Sequence, residues 1–474
     1  MEIFFYYFRD SINSIILYYY LMKSINRRNF IKKTSQSAIA LTAPFIVPSS
    51  VFGKNAPSNR INIGAIGNGR ISRTHDMPGI WKNDFAQIMA VCDLDSKRAE
   101  DAKKLVNAFY SKRNGKDFDG VTVYHNYEEL LKNKDIDAVV ISTPDHWHAK
   151  IAVDAANARK HIYLQKPASL TITEGRKMAD VVKKRKIKFQ IGSQQRSSTQ
   201  FRYAAELVRN GRIGKLQEVY VGLPGDPSGP EEKEMPIPKN LQYNTWLGST
   251  PEVYYTENRV HPQVGYDRPG WLRCEQFGAG MITGWGAHHI DSAHWGMGTE
   301  LTGPIEIWGH AEFPTSGLWD VHGIFKTEAL YANGVKMIVS NELPNGVKFV
   351  GTDGWIWVTR GAYRATDSDP VNSDGTKPLD ASDPKLLTSK IGDNEFKFIV
   401  SADHHRNWLE SIRDNKNPIA PVEEAHRSCS ACLLHHIAMK LDRKIKWNPD
   451  NEEFINDPQA SAMLSRPQRK PFNI

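Results

Sequence analysis

The feature that most restricts this chain is the run INIGAIGNGRIS at residues 61–72. Ile61, Ile63 and Ile66 mark a short apolar strand. It runs straight into Gly67-Asn68-Gly69-Arg70-Ile71-Ser72, a G-x-G-x-x-S turn that opens a helix. In such a turn the first glycine permits the sharp strand-to-helix reversal. The second lets the backbone approach a pyrophosphate, which then lies on the helix N-terminus. The third position, usually a glycine for close helix–strand packing, is Ser72, small enough to fill most of that role. Gly67, Gly69, Arg70 and Ile71 are therefore expected at a dinucleotide cofactor.

The downstream residues strengthen this. A second apolar strand, Ile88–Cys92, ends at Asp93, 24 residues past Gly69. A carboxylate there would hold the adenosine ribose hydroxyls and repel a 2′-phosphate, so NAD is favoured over NADP. The competing role for Asp93 is to cap the next helix together with Asp95 and Ser96. A helix is expected over Ser96–Tyr110, then a buried strand over Ala138–Ile141 that ends in Ser142-Thr143-Pro144-Asp145-His146-Trp147-His148. Pro144 stops the strand, and a helix begins near His148. Alternating strands and helices imply a doubly wound parallel sheet with its ligand at the carboxyl ends of the strands. Ser142, Thr143, His146 and His148 fall there and are assigned to the cofactor.

At 474 residues the chain is too long for one ordinary core. Its net charge of +8 suggests nucleic acid only at first sight. Residues 1–60 hold eight basic and two acidic residues, six of the eight net charges, so the remainder carries no nucleic-acid footprint. No later stretch is long and apolar enough to span a bilayer. Cys429-Ser-Ala-Cys432 has metal-like spacing, but it lies in a helical stretch with no second C-x-x-C, and a packed helix face is expected there, with no metal. Cys92 reads as a strand core residue. Arg27-Arg28, followed by Phe30 and a weakly apolar run from Ala38 to Val47, resembles a twin-arginine export signal, so a periplasmic or otherwise exported protein is expected. Residues 1–21 read as an extension ahead of a signal starting at Met22, or else as a membrane-facing segment in their own right. The chain then divides into residues 1–55, an address; 56–190, the dinucleotide domain; and 191–474, a substrate and oligomerisation domain.

Several further segments give a resemblance. AIGNGRISRTH, VCDLD, STPDHWHAKIA, YLQKPAS, FQIGSQQR, WLGSTP and GWGAHHID occur in the order typical of the Gfo/Idh/MocA oxidoreductases, over residues 60–300. HHRNWLESIRDNKNPIAPVEEAHR and RPQRKPF resemble the C-terminal part of an exported branch of that family. The resemblance implies an N-terminal Rossmann domain followed by an α/β domain with an open, mostly antiparallel sheet that often pairs subunits, so a homo-oligomer is expected. Strand-like runs at 217–223, 305–313, 335–341 and 355–360 agree with this.

The resemblance also assigns residues. Gln165-Lys166-Pro167 aligns with a Glu-Lys-Pro motif whose lysine handles the reacting oxygen. Gln165 departs from the family glutamate and is expected to deprive Lys166 of a negative neighbour, leaving it readier to act as a base. His288 aligns with the catalytic acid/base, and His289 is the alternate. Relatives carry an aspartate four residues before it; here Gly284 stands there, and Asp291 is a candidate substitute. Gln194, Gln195 and Arg196 are expected beside nicotinamide and substrate, and Trp271 and Arg273 beside the sugar. The implied activity is hydride transfer between NAD and a secondary hydroxyl of a carbohydrate. An NAD-assisted glycosidase and a non-catalytic sugar-binding protein on the same scaffold are the alternatives.

Overall fold

The computed structural model describes residues 60–361 and 377–474, and the twin-arginine segment lies outside them. Six strands come first: β1 (Ile61–Ile66), β2 (Ala86–Cys92), β3 (Thr122–Tyr124), β4 (Ala138–Ile141), β5 (His161–Leu164) and β6 (Phe189–Ile191). They form one sheet in the order β3-β2-β1-β4-β5-β6, with every neighbouring pair parallel. The order reverses between β1 and β4, which opens a crevice at the carboxyl ends of the two strands. Ile66 pairs with Ile141, so Gly67 and Ser142 face each other across that crevice. Both sheet faces are covered, which is why β4 reads as the unbroken apolar run Ala-Val-Val-Ile.

The second sheet has nine strands: β7 (Leu216–Gly222), β8 (Pro304–Ala311), β9 (Phe325–Tyr331), β10 (Lys336–Ser340), β11 (Gly346–Gly351), β12 (Trp355–Val358), β13 (Leu379–Ala381), β14 (Ile445–Asn448) and β15 (Glu453–Phe454). Their order is β13-β12-β11-β7-β10-β9-β8-β14-β15. Only β7 and β10 run parallel; the other pairs are antiparallel. This is the open, mostly antiparallel sheet expected. β9 has no apolar run because its burial alternates, with Lys326, Glu328 and Leu330 on the more open side.

Helices Thr199–Arg209, Gly286–Met297 and Val422–Leu441 pack on one face of this sheet. Every residue of Gly286–Met297 is buried. Val422–Leu441 also packs on helix Ile172–Arg185 of the first sheet, where Arg176 pairs with Glu423 at 2.8 Å and Glu452 at 2.9 Å. A single apolar core therefore runs through both sheets. The other face of the first sheet is closed by helix His404–Arg413, whose Trp408 and Leu409 join Ile63, Ile80 and Tyr163. The far end of the chain thus completes the core of its beginning. Cys92, Cys274, Cys429 and Cys432 are buried thiols. Among the described residues, no helix is long and apolar enough to cross a membrane.

Candidate active site

A cavity of about 570 Å³ occupies the crevice between β1 and β4 and extends to Trp246, Trp271, Trp285 and His288 of the second domain. Its first wall is the glycine turn. Gly67 has φ +82°, and a Cβ there would lie 2.7 Å from the Ser142 backbone, so only glycine fits. At Gly69 the nearest atom to a Cβ would be Arg98 Nη1 at 3.7 Å, so its missing side chain leaves space that opens into the cavity. Asp93 lines the same wall. Its carboxylate accepts hydrogen bonds from the amides of Asn68 at 2.7 Å and Asp95 at 2.9 Å, which brace it against the turn. The N-cap of helix Ser96–Asn114 is Asp95, which accepts from the Lys97 and Arg98 amides. The capping alternative for Asp93 therefore falls away. Arg70, Ile71, Ser142 and Thr143 also line the cavity, and Thr143 Oγ1 is buried without a partner.

The opposite end carries the titratable groups. Lys166 follows β5 before a cis bond to Pro167, and its Nζ donates to the Gly284 carbonyl at 2.8 Å. Gly284, standing where relatives carry aspartate, thus contributes its backbone. Asp145, at the start of helix Asp145–Asn157, is buried at the cavity wall. Burial pushes its carboxyl up to about 8, and the Lys166 charge opposes that rise. The acidic group beside Lys166 is thus Asp145 rather than residue 165. Gln165 lines the cavity while its Nε2 donates to Asp76 Oδ1 at 2.7 Å. His288 is buried at the wall, with no hydrogen-bond partner for Nδ1. Burial, then the charges of Arg360 and Lys166, hold its pKa well below the ordinary histidine value, so the ring is neutral. Arg360 stacks over Trp285 at 4.7 Å, and both line the cavity with Trp271 and Gln194.

Other expected residues lie away from it, each for a packing reason. His146 is buried, its Nε2 2.8 Å from the Trp246 carbonyl. His148 spans the Pro167 carbonyl at 2.6 Å and the Thr143 carbonyl at 2.8 Å, so it struts the turn that presents Lys166. Arg196 is fully enclosed, pairing with Asp291 at 2.7 Å and with Glu424, so neither Arg196 nor Asp291 is available to a sugar or to His288. His289 bonds Asn345 at 2.9 Å behind the helix, and Arg273 pairs with Asp226 at 3.4 Å. Gln195 sits one layer back. Its amide NH2 faces the His288 carbonyl and Ser292 Oγ, both at 2.9 Å, and its oxygen accepts from Arg360 Nε at 3.2 Å.

Two family models match: an oxidoreductase family NAD-binding Rossmann fold over residues 61–193, and the C-terminal alpha/beta domain of the same family over 228–360 and 387–474. The chain belongs to the Gfo/Idh/MocA oxidoreductases. It is 27% identical over 155 residues to a myo-inositol 2-dehydrogenase of Thermotoga maritima, covering 33% of this chain and 42% of that protein. It is 31% identical over 176 residues to glycosyl hydrolase family 109 protein 2 of Shewanella sp. (strain ANA-3), covering 32% and 36%. The chain thus spans less than half the length of either relative. Among solved structures, the WlbA dehydrogenase of Bordetella pertussis, in complex with NADH and UDP-GlcNAcA, shares the fold at TM-score 0.57 and 16% identity, over 82% of this chain and 99% of that one.

As a Gfo/Idh/MocA protein the chain has an NAD-binding domain, and its own residues fit that cofactor. Gly67 and Gly69 leave room for the pyrophosphate, Asp93 offers its carboxylate to the ribose, and Thr143 Oγ1 is an unsatisfied polar atom at the wall. No local pattern hinted at a strap from the second domain, residues 261–269, that reaches the Asp93 end of the cavity. Arg98 Nη2 donates to the Pro262 carbonyl at 2.9 Å, and His261 Nε2 lies 3.1 Å from Asp95. Although burial pulls the other way, His261 and Asn240 hold the Asp95 carboxyl down at about 2. Tyr266 stacks on Arg73 at 4.2 Å and on Arg98 at 4.7 Å. Asp145 was the other omission; its place directly after Pro144, at the end of β4, was signal enough.

Proposed function

We propose that this oxidoreductase moves hydride between a tightly held NAD and a secondary hydroxyl of a sugar or glycoside, and that it works outside the cytoplasm after twin-arginine export. The observation that carries the reading is the convergence of Lys166, Asp145 and neutral His288 at one end of a cleft whose other end is a glycine turn under a strap. NAD, when bound, supplies the hydride acceptor. His288 receives the hydroxyl proton on its unpartnered Nδ1, which burial keeps unprotonated before the reaction. Lys166 holds the reacting oxygen and stabilises its alkoxide character. Asp145 answers the lysine charge and takes up or returns a proton as that charge moves. Trp271 and Trp285 offer apolar faces to a sugar ring, and Arg360 fixes the Trp285 indole.

The strap and the export signal together favour a retained cofactor that is reoxidised within each cycle, by a second sugar or by the same one. The glycosyl hydrolase family 109 relative favours a second reading, in which transient oxidation eases loss of an aglycone before the keto group is reduced again. We also place a homo-oligomer contact on the uncovered face of the second sheet, where Trp308 and Leu330 are exposed.

Purified protein, denatured and assayed for nucleotide, is expected to release about one NAD(H) per chain. Glycosides added to native protein should reduce the bound cofactor, and Lys166→Met should stop this while retaining NAD(H). Aglycone release without net reduction selects the second reading. Protein that leaves purification empty, and reduces added NAD with no carbohydrate, overturns both.

A further inference from the structure

Behind the cleft, three side chains that do not themselves line it converge. His75 and Asp76 come from the single turn of π-helix Ser72–Asp76, and His405 comes from helix His404–Arg413. Asp76 is fully buried. His75 Nδ1 lies 3.3 Å and His405 Nε2 3.1 Å from the same oxygen, Asp76 Oδ1. Gln165 Nε2 also donates to Oδ1, and Ser142 Oγ donates to Oδ2, each at 2.7 Å. Among the described residues no lysine or arginine pairs with this carboxylate. A buried carboxylate is costly without a cation. Here the charge is met either by N–H donation from the two imidazoles, with or without an extra proton, or by an ion not supplied by the chain.

We propose that His75 Nδ1, Asp76 Oδ1 and His405 Nε2 form a binding site for one divalent transition-metal ion, with Zn²⁺ as the best match. Two imidazoles and one carboxylate are a standard donor set for such ions. With metal–ligand bonds of about 2.1 Å, separations of 3.1 and 3.3 Å subtend about 95° and 104° at the ion, between octahedral and tetrahedral values. The three ligand atoms lie within 4.8 Å of one another, so one ion reaches all of them.

The supports are those of a metal centre. Gln165 and Ser142 hydrogen-bond the carboxylate from the next layer and fix its orientation. The His405 ring stacks on Tyr163 at 4.5 Å and packs against Gly79, where a Cβ would have no room. The His75 side chain is 18% exposed, which leaves an entry path and a position for water. A metal here would pin the turn after β1 to a helix more than 300 residues away in sequence. Through Asp76 and Gln165 it would also steady the backbone carrying Lys166. This is a positioning role, independent of the hydride chemistry proposed above.

The test uses the full chain, purified without chelator, and reads metal rather than turnover. Elemental analysis is expected to give one Zn²⁺ per chain after brief incubation with the ion and gel filtration. Replacing it with Co²⁺ should give visible ligand-field bands, which chelator removes. His405→Gln and His75→Gln should each weaken binding at least tenfold. His75→Gln is the informative variant if His405→Gln does not fold, because His75 lies on a partly open turn. Wild-type protein that takes up no Zn²⁺ and gives no Co²⁺ spectrum, or uptake unchanged in His75→Gln, overturns the site and leaves hydrogen bonds from the two imidazoles to hold the carboxylate.

Discussion

Two glycines two residues apart should respond oppositely to the same added methyl group. In Gly67→Ala, alanine must hold φ +82°, which costs about 1–2 kcal/mol. Its Cβ would also lie 2.7 Å from the carbonyl carbon and oxygen of Ser142 and 2.8 Å from Thr143 N. Carbon contacts prefer about 3.5–4.0 Å, so the end of β4 must retreat, and such overpacking costs about 1–3 kcal/mol more. The fold should lose about 2–5 kcal/mol, a large share of an ordinary domain's stability. In Gly69→Ala φ lies outside the left-handed region and the nearest atom is 3.7 Å away. The cofactor-free protein should be unchanged or stabilised by up to about 1 kcal/mol, because alanine restricts the unfolded chain. The methyl would instead occupy the space the pyrophosphate needs, and NAD affinity should fall about 10- to 100-fold, or 1.4–2.7 kcal/mol. Urea unfolding of stripped protein, paired with equilibrium dialysis of NAD, separates the two effects. Wild-type NAD affinity in Gly69→Ala, or a wild-type urea midpoint in Gly67→Ala, would show these roles to be misassigned.

The same geometry sets three other outcomes. Arg196→Met leaves Asp291 buried without its cation and should destabilise the fold by about 3–5 kcal/mol, read by urea unfolding, while folded protein keeps its NAD; a substrate-binding role would instead raise KM at unchanged stability. His146, His289, His322, His404 and His435 are held by burial at about 3. The unfolded chain binds their protons first, so stability is intact above about pH 6.5 and each group costs about 1.4 kcal/mol per pH unit below it. The urea midpoint should therefore fall steeply from pH 7 to pH 5, and a flat profile contradicts the assignment. Asp145→Asn should leave NAD content at the wild-type level, lower kcat about 100-fold, and alter its pH profile; unchanged turnover would show the carboxyl to be idle.

The first domain was legible because its signals are local. Strand, glycine turn, helix and acidic strand end lie within about thirty residues, and parallel strands buried on both faces announce themselves as apolar runs. Gly67 and Asp93 could be proposed for the cofactor because each directly follows a strand of that sheet, whereas Lys166 was proposed from the resemblance of Gln165-Lys166-Pro167 to a family motif. The second sheet was harder: β9 alternates lysine and glutamate with buried residues, and β11 pairs with β7 across more than 120 residues.

Neighbours along the chain were enough to specify where the parallel sheet starts, the glycine cradle and the preference for NAD. Which charged residues face the cleft and which hold the core depended on contacts between distant segments. Arg196 and Asp291 look as functional as Lys166 and His288 in a string of letters, yet one pair is buried in mutual contact and the other lines a cavity. The meeting of His405 with Asp76 is of the same kind. No local pattern encodes it, because it exists only when helix His404–Arg413 folds back onto the first sheet.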